Sequence, residues 1–334
     1  MKYISLAHGN GGRLMRELID EVFVARLGNP ALDTQADAVA VTCDLDGHEL
    51  MLTTDGFTVT PLEFPGGDIG SLAINGTIND LAVAGAIPKY LCLGTIIEEG
   101  LELALLSRLV DSLATAAADS GVAIACGDTK VVPRGDGSGI YLTITGVGLK
   151  RDTIHLDITR IQDGDAILVS GPIGDHGVAV MLAREQFGLK GDVISDCRSV
   201  LPLTQALVPF SGLRFMRDPT RGGLATILHE IHAATGFGIA IEEATIPMRD
   251  PVKSMCEMLG YDPLYLACEG QVVAVVARDQ AFEALHTWQA LNAGREAAII
   301  GYVTSDHDKV ILETLPGGQR VLEELEDDPL PRIC

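Results

Sequence analysis

Residues 166–177 read AILVSGPIGDHG: the uncharged run Ala166 to Ser170 enters the turn Gly171-Pro172-Ile173-Gly174-Asp175-His176-Gly177, and a helical stretch follows to about Gly188. A short apolar run ending in Gly and Pro reads as a strand that meets a turn, and the longer periodic stretch after it reads as a helix. The same succession occurs upstream. Leu50 to Thr54 is a strand leading into Asp55-Gly56, residues 68–84 a helix broken by Gly85-Ala86-Ile87-Pro88, and residues 90–97 a strand. Residues 101–119 form an apolar helical stretch, Val122 to Ala125 a strand running into Gly127-Asp128-Thr129-Lys130, and Ile140 to Val147 another strand. At 166 the pattern therefore restarts, after a break near 148–164. Downstream, helices are expected at 199–209 and 222–235 and strands at 271–277 and 298–304, while 13–27 is a helix stopped by Gly28-Asn29-Pro30. Two halves of alternating strands and helices predict mixed sheets with helices on one face, in two domains over 1–150 and 151–320, with a tail over 321–334.

Composition narrows the function. Hydrophobic residues make up 47% and charged residues 21% of the 334, enough for a sizeable core. The net charge is 24 − 46 = −22, which repels nucleic acid and anionic membrane alike and argues against both as partners. It does not exclude a nucleotide held through Mg²⁺, an ion that takes oxygen ligands. No apolar run reaches the ~18 residues of a membrane span, and Met1 to Gly12 lacks the apolar core of a signal peptide. Seven cysteines at scattered positions, with no CxxC pair, read as reduced thiols of a cytoplasmic protein rather than a disulfide framework or a zinc site. His229 and His232 stand three apart, not four, so they miss the HExxH spacing and read as ordinary helix residues.

The candidate chemistry lies where apolar segments meet Gly/Asp turns: Asp37, Asp55, Asp80, Asp128 with Lys130, Asp175 with His176, and Asp218 with Arg221. One Asp-Gly after a strand is usually only a turn. Several converging on one cleft would gather carboxylates with one or two cations, a set that suits Mg²⁺ and a polyphosphate. His8-Gly9-Asn10-Gly11-Gly12-Arg13, just ahead of a helix, offers backbone N–H groups to phosphate. Walker A and GxGxxG signatures are absent, so a nucleotide site here is of another kind. Finally, residues 326–334, EDDPLPRIC, carry two prolines and read as an extended segment ending in Cys334. About ten residues at ~3.4 Å each reach roughly 35 Å, enough to bring Cys334 into a site elsewhere.

HGNGGR, TTDGF, FPGGDIG, NDLAVAGAIPKYL, GDTKVV, SGPIGDHG, DPTRGG, ACEG and PRIC follow one another in the order seen in HypE-type hydrogenase maturation factors, and the resemblance covers nearly the whole chain. The wider superfamily includes aminoimidazole ribonucleotide synthetase, selenophosphate synthetase and thiamine-monophosphate kinase. The resemblance implies an α/β N-terminal domain that forms a barrel-like interface in a homodimer, an α+β C-terminal domain, and ATP in the cleft between them. It implies an ATP-dependent carbamoyl dehydratase. By the same resemblance, a HypF-type carbamoyltransferase would load a carbamoyl group on the Cys334 thiol, the group would be dehydrated to a thiocyanate, and the cyanide would pass to iron on a HypC–HypD scaffold for [NiFe] hydrogenase.

By motif match, Asp37, Asp55, Asp80 and Asp218 would hold Mg²⁺, and Gly9, Gly11, Gly12, Asp55, Asn79, Asp80, Asp128, Thr129 and Arg221 would bind ATP. Lys130 would contact phosphate or polarise the substrate, Glu269 or His176 would accept a proton, and Cys334 would carry the substrate. The chain has Cys268-Glu269-Gly270 where the family often has Asn-Glu-Gly. That keeps the base, puts any hydrogen bond from the Asn in doubt, and makes Cys268 a thiol expected to compete in modification. Two other readings fit the same residues: a small-molecule kinase or synthetase of the superfamily, and a nucleotide-binding scaffold without turnover.

Overall fold

The computed structural model describes residues 12–18, 20, 39–41, 45–184 and 191–325. Its first half contains α1 (Arg13–Leu18), β1 (Val39–Val41), β2 (His48–Phe57), the short hairpin β3 (Glu63–Phe64) and β4 (Gly67–Asp68), and α2 (Ile69–Val83). It continues through β5 (Ile87–Glu98), α3 (Leu103–Asp119), β6 (Ala123–Val132) and β7 (Ile140–Arg151). The second half contains β8 (Ala166–Val169), α4 (Asp175–Ala183), α5 (Leu201–Leu207), β9 (Leu213–Arg217), α6 (Gly223–Thr235), β10 (Gly238–Glu242) and α7 (Asp250–Leu259). It ends with β11 (Val273–Val276), α8 (Ala281–Gln289), β12 (Ala298–Thr304), β13 (Val310–Glu313) and β14 (Gln319–Val321).

Two mixed sheets result. The first runs β1-β2-β7-β5-β6, antiparallel except for the parallel pair β5 and β6, which α3 connects as a crossover. The second runs β14-β13-β10-β12-β8-β11-β9, with β10 and β13 as its parallel pair. In the first sheet α2 and α3 cover one face, and the open face exposes Tyr90 and Ile96. The second sheet carries helices on both faces. Ile167 and Val169 pack with Leu224 and Leu228 of α6, while Ala166 and Leu168 pack with Leu203 of α5 and Trp288 of α8. Hence every residue of β8 and β11 is buried, and these strands read as unbroken apolar runs instead of alternating ones. The one-face expectation describes the first sheet; the second is clothed twice.

Helix α2 lies between the sheets and is buried nearly all round, so it lacks a polar face. It starts at a capping box in which the Asp68 carboxylate accepts from the Ser71 N–H and Ser71 Oγ accepts from the Asp68 N–H. The halves share their cores. Ile74 and Ile78 of α2 join one cluster with Val178, Val252 and Leu266 of the second half, while Ala82 and Val83 join another with Leu203 and Trp288.

Several local expectations need correction. Gly127-Asp128-Thr129-Lys130 is not a turn after a strand; it lies inside β6, because the parallel ladder with β5 continues to Val132. Asp55 lies inside β2 and pairs across to Ile144. Asp80 lies in the last turn of α2, and Asp175 and His176 open α4. Of these described aspartates, only Asp218 follows the end of a strand, β9. Sequence also missed β9, β10, β13, β14, α7 and α8.

A candidate active site between the two sheets

The turn Asp218-Pro219-Thr220-Arg221-Gly222-Gly223 joins β9 to α6 in the second half. Gly222 and Gly223 both have left-handed backbone, φ +71° and +59°. A Cβ on Gly223 would lie 2.6 Å from the Leu266 carbonyl oxygen and 2.7 Å from that of Leu264. The glycine thus lets this turn press against the segment that leads to Glu269. The Cys268 N–H donates to the Pro219 carbonyl at 2.9 Å and ties the two strips together. Asp218 and Glu269 are both buried.

Asp55 reaches the same place from the first half, with Oδ1 3.9 Å from an Arg221 guanidinium nitrogen. Thr53, on the same face of β2 two residues earlier, donates its hydroxyl to Asp80 Oδ2 at 2.8 Å. Asp55, Asp80, Asp218, Arg221 and Glu269 therefore gather where β2 and α2 meet the second half. Burial, followed by the charges of Asp218, Asp196 and Asp55, pushes the Glu269 carboxyl well above the usual carboxylate range, while Arg221 pulls it back. Burial also raises Asp55, against the opposing pull of Arg221.

Three residues absent from the sequence reading hold this cluster. Asp196 accepts the Glu269 N–H at 3.0 Å and the Gly270 N–H at 3.3 Å, and its own carboxyl is pushed up to about 6, chiefly by burial. Ser195 Oγ lies 2.8 Å from His176 Nδ1 and accepts the Cys197 N–H. Arg198 donates to the carbonyls of Gly270 and Ala293. They sit in a stretch without helical or strand periodicity, where a charged residue signals nothing until the fold buries it.

The remaining candidates are placed as follows. Asn79 Nδ2 donates to the carbonyls of Arg198 and Glu269, and its Oδ1 accepts the Val200 N–H at 2.8 Å, so this amide clasps α2 to the second half. His176 is fully buried, edge-on to Phe64, and burial holds its imidazole down to about 3. Asp175 is buried in an ion pair with Arg249 at 2.8 Å. Asp128, Thr129 and Lys130 are exposed on the edge strand β6, with Lys130 Nζ 3.1 Å from Asp128. Two strands, β7 and β5, separate them from β2. Gly12 is buried just ahead of α1, whereas Gly9, Gly11, Asp37 and Cys334 lie outside the described residues. His232 Nδ1 contacts the Phe237 carbonyl at the end of α6, an ordinary helix-end role.

Cys268 is not placed to compete for modifying reagents. It is fully buried, its sulfur accepts the Gly174 N–H at 3.2 Å, and burial pushes its thiol far up. That bond is one a side-chain acceptor here can make, so the cysteine leaves the turn before α4 supported.

Residues 35–150 match the AIR synthase related protein N-terminal domain and residues 162–313 its C-terminal domain. Fold and site together thus define a two-domain AIR synthase related protein. The chain is 46% identical over 333 residues to carbamoyl dehydratase HypE of Azotobacter vinelandii, covering 99% of this chain and 97% of that protein. A crystal structure of a HypE–HypF complex superposes with a TM-score of 0.86 at 41% identity, covering 92% of this chain and 99% of that one. A HypE crystal structure in complex with ATP gives 0.82 at 40% identity, covering 99% and 100%. Within its class, the chain belongs to the HypE family.

Proposed function

We propose that this protein is an ATP-dependent carbamoyl dehydratase that acts on an S-carbamoyl group carried by Cys334. The observation that carries this reading is where the chain leaves the described fold. Leu322 is buried, the Tyr265 hydroxyl donates to the Glu323 carbonyl at 2.6 Å, and Arg16 pairs with Glu324. Leu325 then passes 3.7 Å from where a Cβ on Gly222 would stand, in the same turn as Asp218 and Arg221. Cys334 is 334 − 325 = 9 residues further on. At ~3.4 Å per residue that is a reach of up to ~30 Å, so the thiol can return to the carboxylate cluster beside which its segment starts.

The cluster fits a hard cation. Its donors are carboxylate oxygens; burial raises Glu269 and Asp55 alike, and at Glu269 the charges of Asp218, Asp196 and Asp55 add to the rise, so a cation there would relieve both. Among the described residues no three side chains form a ready-made metal cage. Mg²⁺ needs none, because it takes one or two carboxylates and completes its shell with phosphates and water. Asp55, Asp80 and Asp218, with Asp37, would hold it. When bound, Mg²⁺–ATP supplies the phosphoryl group that turns the carbamoyl oxygen into a leaving group. Arg221 offsets charge on the phosphates, whereas Lys130, on the outer strand β6, stands apart from this cluster. Glu269 takes a proton from the nitrogen, and its raised pKa makes its ionised form a stronger base than an ordinary carboxylate. His176, held neutral and weakly basic, supports the Ser195–Asp196 segment that orients Glu269. The carbamoyl thioester loses one water, whose oxygen leaves in phosphate, and becomes the thiocyanate.

The same reading includes a homodimer formed over the open face of the first sheet, a HypF-type donor, a HypC–HypD-type acceptor and a cytoplasmic setting. Among the described residues no helix is long and apolar enough to cross a membrane. To test the function, Cys334 is carbamoylated with a HypF-type partner, the loaded protein is freed of partner and nucleotide, and ATP with Mg²⁺ is added. The Cys334 peptide should lose the mass of one water only with ATP. A loaded peptide that keeps its mass under ATP would overturn the dehydratase reading, and a thiol never loaded by an active partner would overturn the carrier reading.

A further inference from the structure

Segment 192–198 lies outside the motifs that supply the chemistry, yet it grips the proposed base from behind. Asp196 Oδ1 accepts the Glu269 N–H at 3.0 Å, and Oδ2 accepts the Gly270 N–H at 3.3 Å. The carbonyls of the same two residues are held as well. Arg198 donates its backbone N–H to the Glu269 carbonyl and its Nε to the Gly270 carbonyl, and Asn79 Nδ2 also donates to the Glu269 carbonyl. Gly270 permits the grip, because a Cβ there would stand 1.8 Å from the Asp196 carbonyl oxygen. The gripping segment is itself anchored. The Ser195 N–H donates to the Pro65 carbonyl at 2.8 Å, and the Ser195 hydroxyl lies 2.8 Å from His176 Nδ1. Behind Asp196 is a cavity of about 490 Å³. Its walls include Asp196, Arg198 and Arg249 and the exposed Asp192, Ile194 and Glu296, but none of Asp55, Asp80, Asp218 and Arg221.

We propose that Asp196 is a positioning residue for the dehydration: its carboxylate fixes the backbone of Glu269 so that the base points at the substrate nitrogen, without itself touching the reacting group. The proposal rests on Glu269 acting as the base. The two N–H groups that Asp196 accepts belong to the two peptide groups flanking the Glu269 Cα, so one carboxylate sets the direction in which that side chain leaves the backbone. Such bonds to an ionised acceptor are stronger than neutral ones, and a base displaced by about 1 Å costs on the order of 10²-fold in rate. Asparagine is a poor substitute, because its oxygen can accept one N–H while its amide nitrogen turns donors toward the other. Alanine removes both acceptors and leaves a gap that continues into the cavity. Formate, a bare carboxylate on one carbon, matches the group removed.

The test follows loss of water from the loaded Cys334 peptide over a range of Mg²⁺–ATP concentrations, which gives a maximal rate and a half-saturating ATP concentration for each full-length variant. Parent and Glu269→Gln come first. A Glu269→Gln chain that dehydrates at the parental rate would remove the base itself, whatever Asp196 does. With Glu269→Gln slow, Asp196→Asn and Asp196→Ala should each lose about 10²-fold in maximal rate at unchanged half-saturating ATP. Added formate should restore much of the Asp196→Ala rate and leave the parent and Glu269→Gln as they were, a response that a loss of stability alone would not give. Should Asp196→Ala fail to fold, the isosteric Asp196→Asn decides by its maximal rate. Maximal rates at the parental level, a loss carried by half-saturating ATP instead, or an Asp196→Ala rate indifferent to formate would overturn the proposal while leaving Glu269 as the base.

Discussion

Glu269 is where burial and chemistry meet in one side chain. Its raised pKa means that the stability linked to it is fully present below the ordinary carboxylate range. That stability is lost as pH rises through the folded value. Glu269→Gln cannot ionise, so in nucleotide-free protein at pH 8 it should unfold at higher urea than the parent. The same variant should lose about 10²–10⁴-fold in dehydration rate, the share of a positioned base, while still binding ATP; the mass of the Cys334 peptide over time checks it. His176 has the opposite sign. Its folded value of about 3 lies below the ordinary 6.5, so its contribution is present above 6.5 and falls away as pH drops from there toward 3. Relative to His176→Gln, the parent should lose about 1.4 kcal/mol per pH unit over that window, read from urea melts at matched pH. Both residues stood out in the motifs GDHG and ACEG. Their different environments did not, because Ser195, Asp196 and Phe64 reach them from distant segments.

Among the elements, α2 does the most to position the site. Its buried Asn79 connects it to the backbone at Arg198, Val200 and Glu269. Asn79→Ala leaves an N–H and two carbonyls without that partner. At 1–3 kcal/mol for a buried group left unsatisfied, a loss of about 3 kcal/mol is expected in urea unfolding. Asn79→Asp should recover little, since a carboxylate offers no N–H to the two carbonyls. Gly223→Ala should disrupt the turn carrying Asp218 and Arg221, because its left-handed backbone and the two carbonyls facing it admit no side chain. Helical spans were readable closely: 68–84 against Ile69–Val83, and 101–119 against Leu103–Asp119. Strands β10 and β13 escaped because, at five and four residues, GIAIE and VILE are too short and too uniformly apolar in sequence to show a polar–apolar alternation.

For the whole molecule, the open face of the first sheet is the feature a monomer leaves unexplained. Tyr90 is 54% and Ile96 42% exposed on that face of β5. The homodimer proposed over this face would cover these side chains. The proposed homodimer should appear in light scattering at twice the chain mass, and Tyr90→Glu with Ile96→Glu should return the monomer without loss of helical signal. A wild-type protein that stays monomeric at micromolar concentration would remove the dimer from the reading. Cores shared between the halves make them one packed body, so thermal unfolding of the two sheets should coincide.

Local order along the chain was enough to announce alternating strands and helices in two halves, an acidic character hostile to nucleic acid, and most of the residues that later meet. These properties depend on neighbours in sequence: periodicity, Gly/Pro punctuation, charge count. What chain order could not supply was which carboxylates share one environment. Asp55 and Glu269 are more than two hundred residues apart, and only the docking of β2 and α2 onto the Asp218 turn brings their charges into mutual range. The same docking makes Asn79 a clasp, while packing within the second half withdraws Cys268 from solvent and the strand order leaves Lys130 on an outer strand. Burial and proximity are properties of the packed chain, and they decide protonation, reactivity and reach.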